Sequence, residues 1–315
     1  MSSLYLNGRG TYLISCQRKG PFLGNEIAKA VLGGILTGGV YALMASGLTL
    51  IFGVMEIINI AQGIFVILAG YLSYVLQVHL HIDPFIGLIF TMPIMFLVGI
   101  VIEWGFIRRI KATNRTALSI LVTYAVAIVI EGILTMIFQT NLVTINAWYV
   151  LKSVKIMNFY LPYIYIFGFI LAGFLLLMLY FFLYKSRNGK SIRASVQNRT
   201  GAELIGININ RVSAITFGVG AAASAGGGMI YGATNSFNPN SSYDLISRLL
   251  VIIVLGGLGS LGGALIAAIL ALVIEDVTAV VWSPIWASTM FFAVLIVILV
   301  VRPNGLFGQK AVRAQ

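Results

Sequence analysis

The feature that most limits this chain is a series of apolar runs, each long enough to cross a bilayer. They fall at about 27–52, 57–78, 85–107, 117–139, 163–184, 211–233, 245–274 and 286–301, and about 20 apolar residues in a helix span a hydrocarbon core. Backbone N–H and C=O groups inside lipid must bond within their own segment. The fold class is therefore all-α, a polytopic transmembrane helical bundle of about eight apolar segments. Composition agrees: 59% of the 315 residues are hydrophobic and 9% are charged. Residues 1–25 read as an N-terminal extension, 26–308 as the transmembrane domain and 309–315 as a tail. The extension carries Arg9, Arg18 and Lys19 but lacks the apolar stretch of a signal peptide.

The net charge of +11 does not point to nucleic acid, because the basic residues sit between the apolar runs. Cationic loops of this kind stay on the cytoplasmic side. Arg108, Arg109, Lys111 and Arg115 make one such link. Lys185, Arg187, Lys190, Arg193, Arg199 and Arg211 make a second, the 185–211 loop, and Arg302, Lys310 and Arg313 mark a cytoplasmic tail. Simple alternation then fails twice. Three segments precede the first basic link, so either the N-terminus lies outside or an early segment is re-entrant. Three more separate the 185–211 loop from the tail, which would put that tail outside.

Two stretches supply a way out. "FGVMEIINIAQG" (Phe52–Gly63) and "GGLGSLGG" (Gly256–Gly263) are candidates for broken or re-entrant helix, tolerated only against protein or a water-filled cavity. One lies in each half, the arrangement of internally repeated transporters. If the 245–274 run folds as two arms about Gly256, Gly257, Gly259, Gly262 and Gly263, the acidic link from Glu275 to Pro284 lies outside and the tail returns inside.

Motifs with a chemical meaning are few. Gly189-Lys190-Ser191 ends like a phosphate-binding loop, but position 184, where that loop needs glycine, is Tyr184. Gly257 to Gly262 spells G-x-G-x-x-G without the strand and later acid of a dinucleotide site. Gly259 and Gly263, like Gly34 and Gly38, also make G-x-x-x-G, and packing or turning is the better reading. His79, His81 and Asp83 fall in a short link with no other histidine to complete a metal site. The single cysteine, Cys16, allows no intrachain disulfide. No nucleophile–base pair, catalytic group, metal motif or cofactor motif is recognisable. Intramembrane polar residues carry more weight, since an ionised group at the bilayer centre costs about 2.5–3.5 kcal/mol. Glu131 lies deep in the fourth segment, and Asn59 and Gln62 flank the first break. Glu103 lies nearer a membrane edge, close to Arg108.

Longer stretches carry a family likeness. "GGVYALMASGLTLIFGVMEIINIAQGIFVILAGYLSY" (Gly38–Tyr74) and "SIRASVQNRTGAELIGININRVSAITFGVGAAASAGGGMIYG" (Ser191–Gly232) resemble the branched-chain amino acid ABC-transporter permeases of the LivH type. So do "VIIVLGGLGSLGGALIAA" (Val251–Ala268) and "RPNGLFG" (Arg302–Gly308). The resemblance spans nearly all of 27–308. It implies a permease subunit of an ATP-binding-cassette importer for branched-chain or similar small amino acids, in the cytoplasmic (inner) membrane of a prokaryote. It also implies partners: a second, LivM-like permease, two cytoplasmic ATPases and a substrate-binding protein outside. Where the family often has Asn-Phe-Ala-His-Gly-Glu, this chain has Asn59-Ile60-Ala61-Gln62-Gly63-Ile64.

The expected roles follow. Asn59, Gln62, Gly63 and Glu131 line a substrate pathway, and the five glycines named above form the late turn. Residues 185–211 are the coupling loop that receives motion from an ATPase, through Arg193, Arg199, Glu203 and Gly206. A helix over 195–207 would set Glu203 four residues beyond Arg199 and end at Gly206. The alternative function is a secondary transporter or channel for small polar solutes such as urea or amides. It would want several buried acids arranged as ion sites, and only Glu131 clearly qualifies.

Overall fold

The computed structural model describes residues 21–110, 115–147, 149–150, 152–156, 159–303 and 305–307. Most of the expected N-terminal extension, the tail at 309–315, Cys16 and Lys111 lie outside the described residues. Among the rest, eight helices are long and apolar enough to cross a membrane. They belong to a multi-pass membrane protein.

In chain order they are α1 (Pro21–Met55), α2 (Gln62–Leu80), α3 (Pro84–Gly105), α4 (Arg115–Phe138) and α5 (Tyr163–Lys185). Two short helices follow, α6 (Arg187–Gln197) and α7 (Arg199–Leu204), then α8 (Ile209–Thr234), α9 (Ser242–Gly256), which at 15 residues is not one of the eight, α10 (Leu261–Val281) and α11 (Pro284–Val301). The residues just before several helices explain where those helices start. Asp83, Ser186, Asn198, Asn208, Ser260 and Ser283 each accept a backbone N–H from the first turn that follows, which satisfies a donor the helix leaves open. The long link after α4 holds an antiparallel hairpin, β1 (Ser153–Ile156) with β2 (Phe159–Pro162). The apolar periodicity gave no sign of it.

Helices α1 and α8 form the centre of the bundle, and most of each is buried. Helix α1 packs along α10, and α8 along α3 and α2. The first contact depends on Gly34 and Gly38. A Cβ at Gly34 would stand 2.6 Å from Val273 Cα, and one at Gly38 2.7 Å from Ile269 Cα. This G-x-x-x-G stripe serves close helix approach, as its spacing suggests.

The same contacts resolve the direction of each helix. Near the end of α1, Gly53 faces Gly259, just before α10, and Val196 of α6. The Arg108 guanidinium donates to Asn210 O at the start of α8 (3.3 Å). After α11 the chain hydrogen-bonds to the end of α9, with Leu306 N donating to Leu255 O (2.8 Å). The basic links therefore share one face, called the basic face below. Helix α1 begins on the opposite face.

Two expectations are corrected. The 245–274 run is α9 and α10, and α10 continues to Val281, so Glu275 and Asp276 belong to a helix rather than to a link. Glu275 is tolerated there because Arg248 of α9 grips both its carboxylate oxygens (2.8 and 2.6 Å). The helix expected over 195–207 is instead two. At Asn198 the backbone leaves the helix (φ −155) and the side chain caps α7 through Gly201 N (2.8 Å). An asparagine in this position competes for backbone donors and favours a cap over helix interior.

Candidate functional site

The first break begins where α1 ends at Met55. Glu56 takes a left-handed backbone (φ 56), and non-helical residues 56–61 return to the level of the bundle centre, where α2 starts. Asn59 and Gln62 meet there, both fully buried, with Asn59 Nδ2 donating to Gln62 Oε1 (3.3 Å). Gln62 Nε2 donates to Ser224 Oγ (2.8 Å) and Gly220 O (3.2 Å) on α8. Asn59 Oδ1 has no hydrogen-bond partner among the described residues. Gly63 brings α2 against the backbone of α9 at Ser242. Thr123 of α4 holds the break from the side, accepting from Ile60 N (3.2 Å).

Of the expected pathway residues, these three come together, and Glu131 does not join them. Its carboxylate Oε2 accepts from the Tyr243 hydroxyl at the start of α9 (2.6 Å), nearer the face opposite the basic one. Gln62 faces helix backbone rather than open space. Glu103, buried on α3, is paired with Arg108 (3.0 Å).

The second break is a tight turn, Gly257 (φ 96) to Ser260, with Gly259 at φ 83. Only glycine adopts such angles without strain. Gly256 and Gly263 press together where α9 ends and α10 begins, and Gly262 meets no neighbour within 4 Å.

The breaks and the short helices converge on the basic face. A cavity of about 450 Å³ is lined there by Gly53 from the end of α1, Glu56 from the first break, Leu258 and Gly259 from the second, Val196 from α6 and Phe307 from the C-terminal end. Sequence periodicity could not assemble this junction, because its parts lie far apart along the chain.

The expected coupling residues divide into two groups. Arg193 turns back on α5, with its guanidinium on Leu183 O (3.2 Å) and over the Tyr184 ring (4.2 Å). Arg199 and Glu203 face each other on α7 at 4.0 Å, Arg199 half-buried and Glu203 exposed. Gly206 (φ 86) ends α7 in a Schellman arrangement, its N–H bonding Glu203 O and the next N–H bonding Ala202 O (both 3.0 Å). Beside that end Leu204 and Ile205 are 83% and 75% exposed. Their hydrophobic character is visible in the sequence, but their projection from the basic face is not. Gly189, Lys190 and Ser191 are simply the first turns of α6, with Gly189 N donating to the capping Ser186 Oγ (2.9 Å).

Residues 30–300 match the family model described as "Branched-chain amino acid transport system / permease component", a family of transport permeases rather than of enzymes. The high-affinity branched-chain amino acid transport system permease protein LivH of Salmonella typhimurium is 27% identical, over 89% of this chain and 94% of its own length. BraD of Pseudomonas aeruginosa, with the same descriptive title, is 25% identical over 90% of this chain and 96% of its own. The probable LivH of Methanocaldococcus jannaschii is 24% identical over 88% and 91%. Among solved structures, PsaBC from Streptococcus pneumoniae in complex with Fab aligns with a TM-score of 0.41 and 16% identity, covering 88% of this chain and 92% of that one.

Proposed function

The chain belongs to the family of permease components of branched-chain amino acid transport systems, and from that premise we propose its place in an ATP-driven importer. It moves branched-chain or similar small amino acids across the cytoplasmic membrane of a prokaryote. A second permease pairs with it, two ATPases dock on the basic face, which is the cytoplasmic one, and a binding protein delivers substrate outside. The family match over 30–300 carries this reading.

The geometry supports a division of labour. Helix α7, with Glu203, Leu204 and Ile205 exposed, Arg199 beside them and Gly206 closing it, docks on an ATPase. Helix α6, held to α5 through Arg193, passes the displacement through Val196 to the junction where the two breaks meet. The glycine turn then lets α9 and α10 move relative to each other. The Asn59–Gln62 pair, Gly63 and Glu131 stand beside the route that opens, and the unpartnered Asn59 Oδ1 is an acceptor for a polar solute there.

The test is reconstitution. With its partner subunits and ATP, the chain accumulates leucine in vesicles; alone, it neither hydrolyses ATP nor accumulates it. Uptake by the lone chain driven by a sodium or proton gradient would instead establish the secondary transporter.

A further inference from the structure

The largest group of ionisable residues within the spans lies away from both breaks, toward the face opposite the basic one. Arg248, about two turns into α9, sits at its centre. Its guanidinium donates to Asp244 Oδ2 (2.9 Å) and to both oxygens of Glu275. Those contacts tie α9 to α10 and account for two of the three nearby acids. Asp276, the third, makes no hydrogen bond or ion pair among the described residues and lines a cavity of about 300 Å³. Tyr41 of α1, Tyr165 of α5 and Tyr231 of α8 line it too, and no hydrogen bond among the described residues engages any of the three hydroxyls. A second cavity of about 710 Å³ shares Thr37, Tyr165 and Asp276 with the first and continues past Lys29 and Glu26 at the start of α1. Asp276 thus stands between an inner chamber and an approach from the outer face.

Asp276 is half-buried, and an unpaired carboxylate inside a membrane span is costly and usually reflects a use. Here one guanidinium faces three carboxylates, so the chamber has formal room for positive charge and none for a further anion alone. The free phenol hydroxyls supply donors that a carboxylate needs. A space of this size is within the roughly 300–1,000 Å³ that small-ligand sites occupy. We propose that this chamber is an amino-acid site in the membrane chain itself. Asp276 accepts the ammonium group of a zwitterion entering from outside, and the tyrosine hydroxyls face its carboxylate. The Arg248–Glu275 pair is the positioning element that keeps the wall closed. The proposal rests on the reading of the chain as an amino-acid permease.

Thiol protection tests it in the assembled, reconstituted complex. Cys16→Ser leaves the chain without cysteine, and Thr37→Cys then places a single thiol where the two cavities meet. A small cationic methanethiosulfonate should modify that thiol from outside. Leucine at ten times its dissociation constant should slow the reaction by about tenfold. 4-Methylpentanoate, which lacks the ammonium group, should not slow it. In Asp276→Asn, leucine should need at least about tenfold higher concentration to protect.

Leucine uptake by the same complex separates the possible failures. Uptake without protection overturns the chamber as a site. Protection that survives Asp276→Asn, or that 4-methylpentanoate matches, overturns Asp276 as the ammonium acceptor. A complex with neither protection nor uptake of any branched-chain amino acid removes the functional reading, and this site with it.

Discussion

At the scale of single residues, polar atoms inside apolar runs were legible in the sequence and their partners were not. Gln62 was visible as an amide beside a break, yet Ser224 and Gly220, which it holds, lie more than 150 residues away. Its burial changes which substitution is informative. A bulky residue would disrupt the core rather than obstruct a route, so Gln62→Leu, close in volume, is the better variant. It strands the Asn59 amide N–H and takes the Gln62 donor from Ser224 Oγ and Gly220 O, and a buried group left without its partner costs about 1–3 kcal/mol. The thermal midpoint of the purified chain in detergent should fall, and an unchanged midpoint refutes this role. Gly38 is a second residue-scale case. A branched side chain there meets the α10 backbone, which cannot yield as a side chain does, and overpacking costs about 1–3 kcal/mol. Gly38→Val should lower the same midpoint. Gly132→Ala, on a stretch of α4 with nothing within 4 Å, should hold it or raise it, because alanine favours helix over glycine by up to about 1 kcal/mol.

At the scale of elements, the long helices followed from hydropathy, while the capping by Asp83, Ser260 and Ser283 that sets where three of them start was seen only in the structure. The short ones were harder. A helix over 195–207 satisfied the i,i+4 spacing of Arg199 and Glu203, but Asn198 gains more by capping than by staying helical, and so α6 and α7 separate. The division between α9 and α10 was legible because five of the eight residues from Gly256 to Gly263 are glycine and could not all be explained as helix interior, while Glu275 was misplaced because its partner Arg248 is 27 residues earlier. Helix α7 carries a prediction of its own. Leu204 and Ile205 bury almost nothing in this chain, and the Arg199–Glu203 pair is an exposed one of about 0.5 kcal/mol or less. Leu204→Asp with Glu203→Lys should therefore leave the midpoint unchanged. Uptake and binding-protein-stimulated ATP hydrolysis should fall together, because the docking surface is lost. Arg115→Ala, in the other basic link, should matter less. If the double variant transports normally while Arg115→Ala fails, the ATPase docks on the other link.

At the scale of the whole molecule, the sequence established the class but left the direction of the chain open. Three segments before the first basic link and three after the second were compatible with either an outside N-terminus or a re-entrant early segment, since charge fixes only which loops share a face. The packing decides between them. Gly53 against Gly259 and Val196 places the end of α1 on the basic face, and Gly34 against Val273 makes α1 and α10 antiparallel. The start of α1 and the end of α10 must then share the opposite face. Helix α9, too short for an ordinary span at 15 residues, supplies the odd passage that brings the chain after α11 back to the basic side. This arrangement makes a directional prediction. In a Cys16→Ser chain, Gly24→Cys should react with a membrane-impermeant maleimide on intact spheroplasts. Leu204→Cys should react only after the membrane is opened. Helix α7 is exposed on one face and Gly24 on the other, so no rotation of the bundle in the membrane plane exchanges the two results. Labelling of both thiols from outside, or of neither, would mean that α1 does not cross from the face opposite the basic links, and the passage assigned to α9 would lose its basis.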